Sequence, residues 1–460
     1  MSHVLSSWEP ENSEFWTKQG SAIANRNLWI SIPCLMLAFS IWMLWSVVAV
    51  NLDKAGFQFS KDQLFFLTAL PALSGATLRI FYSFLVPVFG GRRWTAISTA
   101  SLLIPAIGMG FALRDPGTSY STLLVLALLC GFGGGNFSSS MANISFFFPK
   151  ARKGYATGMN AGVGNLGVSV VQFLTPFVIS SAMFGVAISG DGFLFHNAKT
   201  GADHLFWLAN AGFIWVPFIA AATVIAWFGM NDIASAKASF ADQAVIFKRK
   251  HNWLMCWLYT GTFGSFIGFS AGFAMLLKVQ FPEVDVARLV FLGPLAGALA
   301  RPVGGMISDK IGGARLTFWV FAGMAAIIVA GILPALHQHQ FGIFLGAFIG
   351  MFILTGIGNG STFCMIPLIF QTERERAVAG QGEPALKQAR MDAAKESAAV
   401  LGFSGAIGAY GGFFIPQSFG TSIKITGAPD FALYAFIAFY ISCMAITWWY
   451  YSRKGAEIPC

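Results

Sequence analysis

The sequence predicts an all-α membrane protein with twelve transmembrane helices arranged as two pseudo-symmetric six-helix bundles. Composition is the first observation: 56% of the 460 residues are hydrophobic and 11% are charged, whereas a soluble domain is about 45–50% apolar and about 25% charged. The second is a series of apolar stretches of roughly 20 residues, the length of a helix that crosses a bilayer. The third is an internal repeat, which divides the chain into two similar halves.

About twelve apolar stretches are long enough to cross a membrane as helices. A transmembrane β-barrel would show short segments of alternating hydrophobicity instead. In the first half the predicted spans are Leu28–Val50, Leu64–Val88, Trp94–Leu113, Leu123–Phe148, Tyr155–Ala182 and Phe206–Phe228. In the second half they are Trp253–Leu277, Leu289–Ile307, Leu316–Leu336, Phe344–Phe370, Ala398–Ile423 and Leu433–Tyr451.

The longest polar stretch in the middle of the chain separates the sixth span from the seventh. The predicted units are an N-terminal segment (1–27), a first bundle (28–228), a central loop (229–252) and a second bundle (253–460). The second bundle contains a charged loop, 371–397, for which we expect a short helix plus a linker. Lys and Arg concentrate on the side of the N-terminus, which places both termini in the cytoplasm by the positive-inside rule. The net charge of +9 reflects this orientation signal, so no nucleic-acid partner is predicted.

Two arginines, Arg79 and Arg301, lie in the middle of apolar spans at equivalent positions of the repeat. Each part of the first copy recurs 222 residues later: the segment 74–79 at 296–301, and the diglycine 90–91 at 312–313. A charge at bilayer depth costs about 2.5–3.5 kcal/mol on insertion scales. A chain that bears this cost twice, at matching positions, is predicted to use both charges on one ligand.

The other ionisable residues fall in the tails, in the loops or at the ends of the predicted spans. The spans therefore offer no side-chain proton relay, since arginine itself stays protonated. The pathway is cationic, and its ligand should be an anion. The planar fork of arginine suits a planar oxyanion, and carboxylate, nitrate, nitrite and phosphate are all candidates. The competing explanation is structural, with the arginines satisfied by backbone carbonyls or by bonds between helices.

Glycines form two stripes at helical spacing, one in the fifth predicted span and one in the eleventh. They comprise Gly158, Gly162, Gly164 and Gly167 in the first and Gly405, Gly408 and Gly411 in the second. Part of the first stripe matches G-x-G-x-x-G, but it follows no strand and lies in an apolar helix, so a dinucleotide site is not predicted. Small residues at this spacing let two membrane helices approach closely. The stripes are therefore predicted to pack helices tightly, to let helices slide or bend around the site, or both.

Six segments carry a family resemblance: Arg26–Ile30, Leu67–Pro71, Phe89–Trp94, Ser139–Pro149, Thr262–Met275 and Ala409–Pro416. They resemble the nitrate/nitrite porter family of the major facilitator superfamily, in its bacterial antiporter branch. The resemblance covers nearly the whole chain, and the glycine-rich fifth and eleventh spans match that family's paired nitrate signatures. It implies the major facilitator architecture, a location in the bacterial inner membrane and a carrier that works as a monomer.

The resemblance also implies how the anion is bound. Arg79 and Arg301 would clamp it from the two halves, and Phe137 and Phe363 would sandwich its flat face. The face of a phenyl ring is electronegative. We therefore expect the two phenylalanines to select shape and exclude water, while the arginines supply the attraction.

Three further residues complete the implied pocket. Asn165 and Tyr259 would add hydrogen bonds to the anion. Phe263, one helical turn beyond Tyr259, would line the pocket. The partners implied are nitrate and nitrite anions and the surrounding lipid bilayer.

The leading hypothesis is exchange of nitrate and nitrite by alternating access. A proton-coupled nitrate symporter is the alternative, and a membrane nitrate sensor is a distant one. The six cysteines show no metal or redox spacing, and the spans show no nucleophile–base set. The sequence therefore predicts neither a metal, nor a cofactor, nor an enzyme.

Overall fold

The computed structural model describes residues 3–82, 85–197, 202–234 and 245–460. Part of the predicted central loop (229–252) and residues 83–84 of the second predicted span lie outside these ranges. Within them, twelve helices are long and apolar enough to cross a membrane, which confirms the predicted fold class. They are α1 (Ser13–Asn51), α2 (Lys61–Tyr82), α3 (Gly91–Ala112), α4 (Tyr120–Phe147), α5 (Lys150–Val178), α6 (Asn210–Gly229), α7 (Lys250–Gln280), α8 (Val286–Ile311), α9 (Gly313–His337), α10 (Phe341–Ala377), α11 (Glu383–Thr426) and α12 (Asp430–Ser452).

Helices α1 and α7 form the centre of the molecule. In each, 89% of the most apolar stretch is buried inside the protein, against 33% in α12. A π-helical turn, Thr260–Gly264, interrupts α7 between the α-helical segments Lys250–Tyr259 and Ser265–Gln280. Such turns inside α-helices are frequent at functional sites, and this one follows Tyr259 and contains Phe263.

The repeat predicted from the sequence has a structural counterpart in two sharp turns. Helix α3 begins at Gly91 after Gly90, whose φ is 86°, and α9 begins at Gly313 after Gly312, whose φ is 91°. Both φ values lie in the left-handed region, where a side chain would strain the backbone. The two diglycines therefore make equivalent turns in the two halves.

The first helix begins earlier than the sequence predicts. Helix α1 starts at Ser13 rather than Leu28. Asn12 caps this start, because its side chain accepts hydrogen bonds from the backbone N–H groups of Glu14 and Phe15. Much of the predicted N-terminal segment is thus a polar extension of the first membrane helix.

The charged segment 371–397 also differs from its prediction. Helix α10 continues to Ala377 and α11 begins at Glu383, so a short turn joins two long helices and no separate helix with a linker is present. Some of its charges pair across helices. Glu396, 6% exposed, accepts hydrogen bonds from Arg374 and from Arg249.

Four short strands in the described residues mark the two ends of the bundle. β1 (Val4–Leu5) pairs in parallel with β4 (Asp232–Ile233), and β2 (Phe193–Asn197) pairs antiparallel with β3 (Ala202–Phe206). The first pair lies on the side where α1 begins, called the terminal side below. The second pair lies between α5 and α6 on the opposite, distal side.

The two halves close against each other on the distal side. Asp62 of α2 pairs with Lys424 of α11, with 2.9 Å between Oδ2 and Nζ. Lys278 of α7 pairs with Asp53, which follows α1, and donates to the Val50 carbonyl at 2.7 Å. Across the described ranges, the hydrogen bonds and ion pairs that join the halves lie at the level of Arg79 or on the distal side.

Several positions of α5 and α11 on the terminal side have no close neighbours. A Cβ atom added at Gly158 of α5 or at Gly402 of α11 would meet nothing within 4 Å. Tyr155, one turn before Gly158, is 63% exposed. The contacts between the halves are thus made on the distal side and at the level of Arg79, whereas these positions on the terminal side meet open space.

Candidate anion-binding site

Two backbone carbonyls hold Arg79 of α2 at the centre of the bundle. Its Nε donates to the Gly134 carbonyl of α4 at 2.8 Å, and its Nη1 donates to the Gly405 carbonyl of α11 at 2.9 Å. The residue is 1% exposed, and Nη2 has no hydrogen-bond partner. The bond to Gly405 joins the two halves. The structural explanation for a buried arginine thus holds for two of the three nitrogens, and the third has no partner.

Three aromatic rings surround the Arg79 guanidinium. Its Cζ lies 4.6 Å from the ring centre of Phe137, 4.8 Å from that of Trp42 and 5.1 Å from that of Phe263. The negative face of an aromatic ring attracts a cation, so these rings offset part of the cost of burying the charge. Helices α1, α4 and α7 supply one ring each, so the three rings around Arg79 come from both halves.

Arg301 of α8 is less constrained than Arg79. It is 9% exposed, its Cζ lies 5.3 Å from the ring centre of Phe363, and its Nη1 has no hydrogen-bond partner. The two arginines interact electrostatically with each other and with Tyr259. The structure therefore brings the paired arginines of the repeat together between the halves, and neither has an ion-pair partner in the described part of the chain.

The two phenylalanines of the predicted sandwich occupy different surroundings. Phe137 stacks on Phe263, with ring centres 6.3 Å apart and planes at 26°, and Phe263 stacks on Tyr259 with 5.3 Å between ring centres. No ring contact joins Phe137 and Phe363 among the described residues. Each of these two rings instead covers one arginine.

Asn165 of α5 lies in the interior with an unpaired polar atom. It is 1% exposed, and its Oδ1 has no hydrogen-bond partner, as is also true of Asn136 and Asn359. Buried polar atoms are normally paired, and an unpaired one costs about 1–3 kcal/mol. The free nitrogens of Arg79 and Arg301 lie in the same interior. Such a set is typical of a polar site that binds a ligand or water.

Four of the predicted stripe glycines pack closely against α1 or α7. An added Cβ would lie 2.7 Å from Leu35 at Gly164, 2.0 Å from the Met36 carbonyl at Gly167, 3.1 Å from Tyr259 at Gly408 and 2.5 Å from Gly264 at Gly411. Real Cβ atoms rarely approach a neighbour so closely. The absence of a side chain makes room for Leu35 at Gly164 and lets the helix backbones approach closely at the other three positions.

The other three stripe glycines do not pack tightly in this conformation. A Cβ at Gly158 or Gly162 would meet nothing within 4 Å, and one at Gly405 would lie 3.8 Å from Phe137, an ordinary contact. Gly158 and Gly162 therefore make no close helix contact in the conformation described here, and their role in gating or packing stays a prediction. Gly405 contributes its carbonyl oxygen to Arg79 instead.

Sequence reasoning missed Trp42 and the two carbonyl acceptors of Arg79. Trp42 is 1% exposed, and its Nε1 donates to the Pro71 carbonyl at 2.8 Å. A tryptophan in mid-span was an available signal, because tryptophans of membrane helices concentrate at the two interfaces. The carbonyls of Gly134 and Gly405 had no such signal, since every residue has one.

Comparison with known protein sequences gives a family and close relatives. The family model described as Major Facilitator Superfamily matches residues 30–382. A protein of Escherichia coli (strain K12) named "Nitrate/nitrite transporter NarU" is 53% identical over 458 residues, covering 98% of this chain and 97% of that protein. A protein of Thermus thermophilus named "Probable nitrate/nitrite antiporter NarK2" is 39% identical and covers 99% of this chain and 98% of its own.

Solved structures share the fold at low sequence identity. A D-xylose-proton symporter has a TM-score of 0.61 and 15% identity, covering 91% of this chain and 96% of its own. A bacterial homologue of the human lysosomal transporter Spinster, in an inward-facing and unoccupied conformation, has a TM-score of 0.63 and 13% identity, covering 92% and 96%. At this identity the likeness concerns the fold alone.

Proposed function

This chain belongs to the major facilitator superfamily and, within it, to the bacterial nitrate/nitrite transporter family, and from this premise we propose that it exchanges nitrate for nitrite by alternating access. It is a multi-pass membrane transporter and not an enzyme. We place it in the bacterial inner membrane with the terminal side in the cytoplasm. The excess of Lys and Arg on that side supports this orientation.

The observation that carries the proposal is the pair of buried arginines, one from each half. Arg79 and Arg301 interact with each other, and each keeps one nitrogen without a hydrogen-bond partner. Two like charges in a poorly polarisable interior repel each other strongly. A monovalent anion between the two guanidinium groups would reverse that interaction and take up both free nitrogens.

The neighbouring side chains suit a small planar anion. In this proposal Tyr259 and Asn165 donate further hydrogen bonds, because either end of the Asn165 amide can turn toward the site. Phe137 and Phe363 limit the space beside the two arginines, and Phe263 closes the pocket next to Tyr259. A flat ion of the size of nitrate or nitrite then meets N–H and O–H donors at its edge and apolar rings at its faces.

Obligatory exchange follows from the charge of the empty site. Moving between conformations without an anion would enclose two unpaired cations, at a cost in both repulsion and desolvation. A bound anion removes much of that cost, so the loaded carrier should change conformation more readily than the empty one. The bond from Arg79 to the Gly405 carbonyl also joins the halves, and an anion that competes for this donor would loosen it.

Counterflow in proteoliposomes tests the proposal. Vesicles loaded with nitrite should take up labelled nitrate rapidly, whereas vesicles without internal nitrate or nitrite should take up almost none. Rapid net uptake into empty vesicles would contradict obligatory exchange. Accumulation driven by a pH gradient alone would favour the proton-coupled symporter, and binding without transport would favour the nitrate sensor.

A further inference from the structure

A line of buried polar side chains continues from Asn165 along α5 toward the closed distal side. Ser169 lies one turn beyond Asn165, and Gln172 nearly one turn beyond Ser169, so all three share a helix face. They are 1%, 4% and 1% exposed, respectively. Each has an unpartnered atom: Oδ1 of Asn165, Oγ of Ser169 and Oε1 of Gln172.

Gln172 joins both halves at the centre of the bundle. Its Nε2 donates to the Ser46 hydroxyl of α1 at 3.1 Å and to the Ser270 carbonyl of α7 at 2.9 Å. Helices α1 and α7 are the two central helices, so this side chain spans the axis between the halves. It does so on the distal side of Asn165, where the two halves are in contact.

The internal repeat identifies the equivalent positions in α11. Gly164 and Gly167 of α5 pack on α1 as Gly408 and Gly411 of α11 pack on α7, with the same offset of 244 residues. This offset pairs the three polar residues of α5 with Ala409, Phe413 and Pro416. The polar side chains of Tyr410 and Gln417 each lie one residue from such a position, about 100° around the helix axis; Tyr410 bonds to Thr77, and Gln417 Oε1 has no partner.

The equivalent face of α11 is therefore apolar. The fold can be built with apolar residues at these positions, so helix packing alone does not require polar ones. Buried polar groups without partners are costly in a membrane protein. Three of them in line on one face of α5, where the equivalent positions of α11 are apolar, run from the anion site toward the closed side and indicate a role in the passage of a polar ligand.

We propose that Ser169 and Gln172 form a second, transient station for the anion between the central site and the distal side, closed here by the Gln172 bridge. The station rests on the proposed function, because it needs an anion that crosses the protein. The Ser169 hydroxyl is an unused donor. Separation of the halves would break the bond from Gln172 to Ser270 and release an amide N–H beside it. The station would accept a monovalent oxyanion as it leaves the arginines.

Ser169→Ala tests the station more directly than a change at Gln172. The Ser169 hydroxyl has no hydrogen-bond partner in this conformation, so removing it breaks no bond of the closed form. We expect nitrate affinity at the central site, measured by isothermal titration calorimetry, to stay within about twofold of wild type. The nitrate–nitrite counterflow rate should fall about 10- to 100-fold, the effect of losing one hydrogen bond to a charged group. Gln172→Met should slow counterflow similarly, and it provides a second probe of similar side-chain size.

Thr175→Val is the matched control. Thr175 is a buried residue of the same helix, but its hydroxyl already donates to the Val171 carbonyl at 2.6 Å, so this variant should exchange at the wild-type rate. Counterflow by Ser169→Ala and Gln172→Met within about twofold of wild type would overturn the station. An equal loss of affinity and rate in Ser169→Ala would also overturn it, by placing Ser169 in the central site. If the proposed function itself is wrong, the wild-type protein will show no counterflow. This result differs from failure of the station alone, in which the wild-type protein exchanges normally.

Discussion

Replacing Arg79 by lysine separates the charge of this residue from its shape. The lysine keeps a positive charge but loses the planar fork that donates to two carbonyls and leaves Nη2 for the anion. A single ammonium cannot occupy the positions of Nε, Nη1 and Nη2 together. We therefore expect Arg79→Lys to weaken both the hydrogen bonds to the two carbonyls and the bond to the anion.

The magnitude follows from the bonds that are lost. A hydrogen bond to a charged group contributes about 1.5–3 kcal/mol. Losing the equivalent of one such bond to the anion corresponds to about 10- to 150-fold weaker binding of nitrate. Loss of the carbonyl anchors should also lower the melting temperature, because the lysine charge would stay buried with fewer partners.

Isothermal titration calorimetry of the purified protein in detergent measures this effect. Arg315→Lys is the control, since Arg315 belongs to the same repeat but is exposed, and its nitrate affinity should equal that of wild type. A folded Arg79→Lys variant that binds nitrate within about threefold of the wild-type affinity would refute recognition by the arginine fork.

Three further predictions concern the pocket wall and the glycine stripes. Phe363→Ala removes the ring that lies over Arg301 and enlarges the pocket, so discrimination against chloride and sulfate in competition assays should fall by about tenfold; unchanged competition would contradict the role of this ring. Asn165→Ala should weaken nitrate binding about tenfold through the loss of one hydrogen bond to the anion, whereas a lower melting temperature with normal affinity would assign Asn165 to packing. Gly411→Ala places a Cβ 2.5 Å from Gly264 and should lower the free energy of unfolding by about 1–3 kcal/mol. In Gly158→Ala the new Cβ meets only open space, so the free energy of unfolding should stay unchanged or rise by up to about 1 kcal/mol. Equal melting temperatures for the two glycine variants would contradict the different packing of the two positions.

The membrane helices and the arginine pair could be predicted because each leaves a local signal. A span requires about 20 apolar residues in a row, and a charge within such a run stands out. The repeat then locates the partner residue without any knowledge of contacts. Arg79 and Arg301 were accessible to sequence reasoning for this reason.

Features that depend on contacts between distant residues were not accessible. The segment 371–397 looks like a loop because it is charged, yet most of it is helical, and its charges pair with distant residues, as Glu396 does with Arg249 and Arg374. The glycines of one stripe look alike, although Gly167 touches a neighbouring backbone and Gly158 faces an opening. Their difference depends on the conformation, which composition does not encode.

The central claim is that one anion contacts both arginines at once, and a double-mutant cycle on nitrate affinity tests it most directly. The dissociation constants of Arg79→Lys, Arg301→Lys and the double variant would be measured by calorimetry under one set of conditions. If both guanidinium groups bind the same ion, the loss of nitrate-binding free energy in the double variant should differ from the sum of the two single losses by about 0.5–3 kcal/mol, as for residues that share a partner. Losses that add to within about 0.3–0.5 kcal/mol would mean that the arginines act independently, and the account of a shared anion would be wrong.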